Sequence, residues 1–234
     1  CKLRETVPDA KIGTVIVMHP VVDWENDPAG SARLDALSNR AFTDPALLGT
    51  YPELLIDELS PFIQQGDLEL IQQPLDFFGL NHYTTMRARS APESALGVEI
   101  LQPPPEVPQT IKGWEINPEM FYQQLLELKN RYGNLPIYIT ESGCAAPDKL
   151  DAEGKVADPE RVAYFRDYLR AAARAIEDGV NLKGYFAWSL MDNFEWAEGY
   201  TQRFGIVYVD FPTQKRIPKD SFHFLKNIFK SNKI

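Results

Sequence analysis

A glutamate that directly follows a short apolar strand is the residue best placed to do chemistry in this sequence. Glu141 comes after the run Leu135-Pro-Ile-Tyr-Ile-Thr140 and before Ser142 and Gly143. A carboxylate at the end of a buried strand is held rigidly, so it could act as a nucleophile or a general base. The spacing alone leaves a simpler alternative open, in which Glu141 is a surface acid or a helix N-cap that starts the next loop.

A second candidate is an aromatic and polar segment that follows another apolar strand. Trp188 and Trp196 enclose Asp192, Asn193 and Glu195 within nine residues. Sugars present apolar C–H faces and a ring of hydroxyls, so sites that bind them pair aromatic platforms with carboxylates and amides. An aromatic stripe can also be ordinary core, but unpaired buried carboxylates are costly, which weakens that alternative.

The third candidate is Tyr83, which closes the strand-end triplet Asn81-His82-Tyr83. A tyrosine hydroxyl beside a carboxylate can hold that carboxylate ionised, although a backbone partner would satisfy the hydroxyl equally well. His19 and His223 are predicted to be packing groups, and no histidine pair has the spacing of metal ligands. The sequence therefore predicts neither a metal site nor a cofactor, and no residue set indicates a Ser-His-Asp triad.

Buried strands and helices that would position these residues alternate along the chain. Helix starts are predicted at Asp44-Pro45, Asn117-Pro118 and Asp158-Pro159, and a closing helix over 220–230. The proline-rich stretch 91–109 is predicted to be a long surface loop. Four apolar runs predict four strands, at 11–18, 75–83, 135–140 and 184–189. Residues 204–210 are predicted to form one arm of a hairpin after the last strand.

This alternation implies parallel strands joined by right-handed crossovers, which both a doubly wound sheet and a barrel satisfy. No glycine-rich phosphate loop follows any strand, and this lowers the case for a nucleotide-binding sheet. Candidate residues at the carboxyl ends of the strands are typical of (β/α)8 barrels instead. An aldolase-like barrel enzyme would need a Schiff-base lysine at a strand end, and no predicted strand end carries one.

Composition excludes some partners. The chain has 24 Lys and Arg against 33 Asp and Glu, a net charge of -9, which argues against a nucleic-acid partner. No apolar run reaches the roughly 18 residues of a membrane span, so no membrane partner is expected. Neither Cys1 nor Cys144 belongs to a ligand pattern, and a reducing, cytoplasmic setting fits this use of cysteine best.

Essentially all of the chain resembles glycoside hydrolase family 1, but the resemblance covers only half of a family member. Asp76–Thr84 is similar to that family's sixth-strand motif, and Pro136–Gly143 to its seventh. The segments 184–200 and 203–210 are a close match to the eighth strand and its loop, and 216–221 to the start of the last helix. The resemblance implies an α/β fold, a partial (β/α)8 TIM barrel that corresponds to strands 5 to 8 with their helices, as a single domain over 1–234.

The resemblance also implies roles for individual residues in a retaining β-glucosidase. Glu141 matches the nucleophile that forms the covalent glycosyl-enzyme, and Tyr83 matches the tyrosine hydrogen-bonded to it. The other matched residues are expected to contact the β-glucoside substrate: Trp188 as the platform under the sugar, Glu195 and Trp196 on its outer hydroxyls, Phe204 as a pocket wall, Asn81 as a support near the acid/base, and Trp114 on the aglycone side.

Two departures from the family pattern shape the expected activity. Ser142 stands where the family usually has asparagine, and no Thr-Phe-Asn-Glu-Pro motif supplies an acid/base glutamate. We therefore expect a β-glucosidase-type fragment that lacks its acid/base half and hydrolyses cellobiose weakly or not at all. The alternative is an inactive sugar-binding or self-assembling half-barrel. Either form is expected to form a homo-oligomer or to pair with an N-terminal half-barrel, because open sheet edges are pairing templates.

Overall fold

The computed structural model describes residues 2–23 and 25–234, so Cys1 lies outside the described residues. Short 3₁₀ and π segments join some of the elements. The strands are β1 Gly13–Val17, β2 Val21–Asp23, β3 Phe77–Asn81, β4 Met86–Ser90, β5 Val98–Leu101, β6 Ile137–Ser142, β7 Leu182–Ala187, β8 Val207–Asp210 and β9 Lys215–Pro218. The helices are α1 Lys2–Thr6, α2 Pro28–Asp35, α3 Ala41–Leu47, α4 Ile56–Leu59, α5 Asp67–Ile71, α6 Pro118–Tyr132, α7 Pro159–Glu177 and α8 Asp220–Ser231.

The four predicted strands form one parallel sheet in the order β1-β3-β6-β7. Val15 pairs with Gly79, which in turn pairs with Tyr138, and Tyr138 pairs with Gly184. Parallel pairing brings the carboxyl ends of all four strands to one edge of the sheet, where the candidate residues follow. The described residues form no closed barrel, and β1 and β7 are the two edges of this sheet.

Helices α6, α7 and α8 cover one face of the sheet. Pro118 opens α6 because its fixed φ suits the first helical position, and the Asn117 side chain accepts a hydrogen bond from the Met120 amide at 3.1 Å. The apolar side of these helices buries Phe121, Phe165 and Leu225 among others, against strand residues that include Leu80 and Ile139. No helix within residues 2–23 and 25–234 is both long and apolar enough to cross a membrane.

The opposite face of the sheet is open. Val15 and Val17 on β1 are 50% and 45% exposed, and Phe186 on β7 is 57% exposed. Val15 and Thr140 flank Gly79 closely, since a Cβ at Gly79 would lie 2.7 Å from Val15 and 3.1 Å from Thr140. Apolar side chains thus occupy both faces of the strands, but helices cover only one.

The prediction of a surface loop over 91–109 was wrong in part. Residues 98–101 form β5, which pairs antiparallel with β4, and β4 pairs in parallel with β2. Val98 is buried against Leu34 and Ala88, and this small apolar cluster stabilises the second sheet. The prolines of this stretch lie outside β5, with Pro92 before it and the others after it.

Two predicted helix caps have other roles. Asp44 lies inside α3 rather than at its start. Its buried carboxylate accepts hydrogen bonds from Arg131 at 2.8 Å and from Arg40 at 3.1 Å. Asp158 does precede α7, but its side chain makes no capping hydrogen bond to that helix. It accepts instead from the Ser221 amide at 2.8 Å, which ties the start of α8 to the start of α7.

Candidate active site

Glu141 lies near the carboxyl end of β6. The pairing of β3 with β6 shifts register after Leu80, so that Asn81 lies opposite Glu141, and the amide of His82 donates to the Glu141 carbonyl at 2.8 Å. Gly143 follows because the chain runs against β7 there, and a Cβ at this position would lie 1.8 Å from the Trp188 carbonyl oxygen. The backbone around Glu141 is thus fixed from both neighbouring strands.

Tyr83 holds the Glu141 side chain. Its hydroxyl donates a short hydrogen bond to Oε2 of Glu141. Burial raises the pKa of Tyr83 well above its usual value, and the hydrogen bond to Glu141 and the negative charge of that residue raise it further. The hydroxyl therefore keeps its proton and acts as a donor, which leaves Oε1 of Glu141 as the oxygen without this partner.

Trp188 and Glu195 form the second pair in the site. The indole Nε1 of Trp188 donates to Oε1 of Glu195 at 3.1 Å. Burial raises the pKa of Glu195, and the charge of Glu141 acts in the same direction. The Trp188 hydrogen bond and the positive charge of Lys112 oppose this shift. The charge of Glu141, at the end of β6, therefore acts on Glu195, which lies in the loop after β7.

Three aromatic rings surround the Tyr83 side of the site. The rings of Tyr83 and Trp114 have centroids 5.6 Å apart, and Phe204 lies 6.2 Å from Tyr83 and 6.0 Å from Trp114. The rings meet at angles of 50° or more, which is the tilted or edge-to-face packing that aromatic pairs prefer. They make a rigid apolar wall beside the Glu141 carboxylate.

One open cavity of about 410 Å³ collects these groups. All of the predicted side chains except Asn81 line it: Tyr83, Trp114, Glu141, Trp188, Glu195, Trp196 and Phe204. Asn81 is buried beside the cavity, and its Oδ1 accepts a hydrogen bond from the Thr140 hydroxyl at 2.7 Å. Trp196 stands at the outer rim with 84% of its surface exposed.

Sequence reasoning missed four residues that line the same cavity, Val17, Lys112, Ala197 and Glu198. The ammonium of Lys112 lies 4.7 Å from the centroid of the Trp114 ring and 3.5 Å from a carboxylate oxygen of Glu198. Its place beside Gly113-Trp114 was the only available signal. A cation stacked on Trp114 joins the turn around Gly113 to the segment that follows Glu195.

The cavity has the parts that a sugar site needs. Glu141 and Glu195 offer carboxylate oxygens to hydroxyl groups, and the aromatic rings offer flat apolar surfaces to C–H faces. Glu141 is also held in place, with one oxygen bonded by Tyr83, which is an arrangement in which a carboxylate can act as a nucleophile. The described residues contain no cluster of His, Cys, Asp or Glu side chains arranged to hold a metal ion.

Comparison with known proteins places nearly the whole chain in one family. The family model of Glycosyl hydrolase family 1 matches residues 2–234. A 1,4-beta-D-glucan glucohydrolase of Thermotoga neapolitana is 43% identical over 98% of this chain and 53% of its own length. A bifunctional beta-D-glucosidase/beta-D-fucosidase of Bifidobacterium breve is 42% identical over 95% of this chain and 52% of its own length.

Solved structures of family 1 enzymes have the same fold as this chain over the part that it covers. A family 1 β-glucosidase from Thermotoga maritima superposes with a TM-score of 0.93 at 39% identity, over 100% of this chain and 54% of that one. The same organism's β-glucosidase in complex with glucoimidazole gives a TM-score of 0.92 at 40% identity, over 99% and 53%. The chain thus spans about half the length of the relatives it matches, and it belongs to glycosyl hydrolase family 1.

Proposed function

We propose that this chain is the nucleophile-bearing half of a retaining β-glucosidase barrel, a single domain in which β1, β3, β6 and β7 are strands 5 to 8. The observation that carries the proposal is the hydrogen bond from Tyr83 to Glu141 within the cavity that also holds the Trp188–Glu195 pair. Membership of the family, with β-glucosidases among the relatives, supports the reaction class. The proposed substrates are β-glucosides such as cellobiose or aryl glucosides.

In the proposed mechanism Glu141 attacks the anomeric carbon. Oε2 accepts the Tyr83 hydrogen bond, which leaves Oε1 to form the bond to the sugar while the aglycone oxygen departs with the bonding electron pair. Tyr83 keeps its proton because burial and Glu141 raise its pKa, so it continues to orient the carboxylate throughout the step. Water then cleaves the glycosyl-enzyme bond in a second displacement at the same carbon.

The remaining lining residues would hold the sugar. Trp188 would lie under the ring, and Glu195, which Trp188 orients, would accept hydrogen bonds from the outer hydroxyls together with Trp196. Phe204 would form a wall, and Trp114 would contact the aglycone. Asn81 does not line the cavity, so we propose that it acts through its hydrogen bond with Thr140, next to Glu141.

A retaining mechanism needs a second carboxyl group about 5–5.5 Å from the nucleophile to protonate the leaving oxygen. Glu195 is a poor choice for this role because it is engaged by Trp188 and is assigned to sugar hydroxyls. We propose that the acid belongs to a second half-barrel that covers the open face around Val15, Val17 and Phe186. An N-terminal half-barrel is the preferred partner, and a second copy of this chain could cover the same surface without supplying the acid.

The test of the nucleophile uses a 2-fluoro-glucoside with a dinitrophenyl leaving group. This leaving group needs no general acid, and the fluorine slows the second step, so the covalent intermediate accumulates on the nucleophile. Mass spectrometry of the purified protein should show one added fluoroglucosyl group on Glu141. The Glu141→Gln variant should add none, whereas Glu198→Gln, which changes another cavity-lining carboxylate, should label as the wild type does.

The labelling results distinguish a glucosidase half from an inactive sugar-binding half-barrel. Labelling of Glu141→Gln at the wild-type rate would refute the assignment of the nucleophile. Absence of labelling in a folded wild type that still binds a phenyl thioglucoside would leave the sugar-binding alternative.

Cellobiose should turn over more slowly than a dinitrophenyl glucoside by about 10²- to 10⁴-fold, the usual contribution of general acid–base catalysis. Light scattering should show an associated species, and a purely monomeric chain would refute the self-association proposal.

A further inference from the structure

A cluster of buried ions lies behind the proposed sugar site. Two cations in it, Arg161 and Lys219, have fully buried side chains, as do their carboxylate partners. Arg203 joins the cluster from the loop after β7. We call this group the buried ion cluster; its members are Asp148, Asp158, Arg161, Asp192, Arg203 and Lys219.

Lys219 connects the loops that follow β6 and β7. Its ammonium donates to Asp148 at 2.5 Å, in the loop after the strand that carries Glu141. It also donates to Asp192 at 2.8 Å, in the loop that carries Glu195. Three carboxylates balance three cations in the cluster, which is the condition under which buried charges are tolerated.

Asp192 is the point at which the cluster holds the loop between β7 and β8. Its Oδ1 accepts from Lys219 at 2.8 Å and from the Gly205 amide at 3.1 Å. Its Oδ2 accepts from Arg203 at 2.5 Å and from the Val209 amide at 3.3 Å. One carboxylate thus receives four donors, two from side chains and two from the backbone at the far end of the loop.

The two ends of this loop also pair directly. The Ser189 amide donates to the Phe204 carbonyl at 3.1 Å, and the Ile206 amide donates to the Ser189 carbonyl at 2.9 Å. Gly205 allows the close approach, since a Cβ there would lie 2.1 Å from the amide nitrogen of Asp192. Trp188, Glu195 and Phe204 therefore all lie on or beside a loop whose base is closed around Asp192.

We propose that Asp192 is a positioning residue for sugar binding. It fixes the loop that presents Glu195 and Phe204, and through that loop it affects the affinity for the sugar. This inference rests on the proposed function for the identity of the ligand, and on the hydrogen bonds of Asp192 for the mechanism. Asp192 does not line the cavity of the candidate site and touches no substrate. Its effect on a glucoside must therefore pass through the loop.

Asp192→Asn is the sharpest variant, because it keeps the shape of the side chain and removes the charge and one acceptor oxygen. Whichever way the new amide lies, its NH₂ group faces one cation and one backbone amide that have lost their acceptor. The loop should loosen without a change in side-chain volume. Asp220→Asn is the matched control, since Asp220 is exposed and adjoins Lys219 in sequence.

The first measurement is hydrogen exchange in the purified protein. Amides that bond within the loop, those of Ser189, Glu195 and Ile206, should exchange about tenfold faster or more in Asp192→Asn than in the wild type. Amides in β3 and β6 should be unchanged, and Asp220→Asn should match the wild type throughout. Unchanged loop exchange in Asp192→Asn would overturn the inference.

The second measurement separates positioning from a general structural role. Affinity for phenyl β-D-thioglucoside, read from tryptophan fluorescence, should fall about tenfold or more in Asp192→Asn. In a Glu195→Gln background the same change should cost less than about threefold, because the group being positioned is already altered. Equal losses in both backgrounds would overturn the inference. A wild type that binds no glucoside would refute the proposed function, and loop exchange alone would then decide the role of Asp192.

Discussion

The two faces of the parallel sheet differ in how far the chain completes them. On the helix-covered face, Leu80 and Ile139 are fully buried beneath α6 and α7. On the open face, Val15 and Phe186 have the same apolar character but stand in solvent. Strands buried on both faces read as continuous apolar runs, and β1 has this pattern. The sheet thus carries apolar side chains on both faces, while the helices of this chain cover only one of them.

The candidate site lies where the two faces meet the carboxyl edge of the sheet. Its framework is anchored from the covered side, since the buried ion cluster closes the loop that carries Glu195. Its opening lies on the side of Val17, which lines the cavity and belongs to the open face. Parts of the site that depend on the covered side should therefore be formed in this chain, while the proposed acid would come from whatever covers the open face.

A matched pair of phenylalanines gives the largest expected contrast between the faces. Phe165→Ala, in the covered core, should lower the free energy of unfolding by about 3–5 kcal/mol, because the side chain is fully buried. Phe186→Ala, on the open face, should change it by about 0.5 kcal/mol or less when that face is uncovered, as it is in dilute monomer. Urea unfolding monitored by circular dichroism measures both. A large loss in Phe186→Ala would mean that the open face is covered in solution, for example by another copy.

A pair of arginines makes the same comparison for charges. Arg161→Met should cost about 3–5 kcal/mol because it leaves Asp158 buried without its cation and leaves Asp148 with Lys219 alone. Arg166→Met removes an exposed pair with Asp167 and should cost about 1 kcal/mol or less. Denaturant unfolding at two salt concentrations checks this, since only the exposed pair should weaken with salt. Similar costs for the two variants would show that the cluster does not anchor the covered side.

Local features of the fold were predictable from the sequence. The four strands and the helices over 118–132 and 159–177 were predictable, because apolar periodicity and Asn-Pro or Asp-Pro starts are local signals. The strand-end residues Tyr83 and Glu141 were predictable as neighbours, because parallel strands bring their carboxyl ends to one edge.

Long-range contacts between polar residues were not predictable. Lys112 reaches Glu198 only because a turn and a distant loop meet in space. Asp192 and Lys219 are far apart in sequence, and no spacing rule reports their contact. The short strand β5 was not predicted, because the prolines around it suggested a loop.

Cys144 is a buried free thiol, and the reducing, cytoplasmic setting stays a prediction.

Tyr83→Phe tests whether Glu141, the proposed nucleophile, is already held in this chain while the open face is uncovered. Loss of a hydrogen bond to a charged group is worth about 1.5–3 kcal/mol, so labelling by the fluoroglucoside should slow by roughly tenfold to a hundredfold. Tyr200→Phe is the control, because Tyr200 is exposed and its ring packs against Phe194 and Phe211. Equal labelling rates for Tyr83→Phe and the wild type would show that Tyr83 does not orient Glu141.

The smallest expected effect concerns the electrostatic state of Glu195. Burial and the charge of Glu141 raise its pKa, so the folded protein binds a proton at Glu195 more tightly than the unfolded chain does. Stability contributed by that proton is present at low pH and is lost as pH rises through the raised pKa. Glu195→Gln keeps the acceptor for Trp188 but never ionises, so it should be more stable than the wild type at neutral pH.

The gain should be less than about 1 kcal/mol, because water reaches part of the site and screens the charges. It should vanish near pH 4 and below, where Glu195 is protonated in the wild type as well. Thermal unfolding midpoints of the two proteins at pH 7 and pH 4 measure the difference, with Glu177→Gln on exposed helix surface as the control. A gain that is equal at both pH values would show that packing, and not the charge of Glu195, separates the variant from the wild type. A gain confined to neutral pH would mean that the proposed sugar site holds its second carboxylate at a cost to folding, a cost that hydrogen bonds from the hydroxyls of the proposed glucoside would offset.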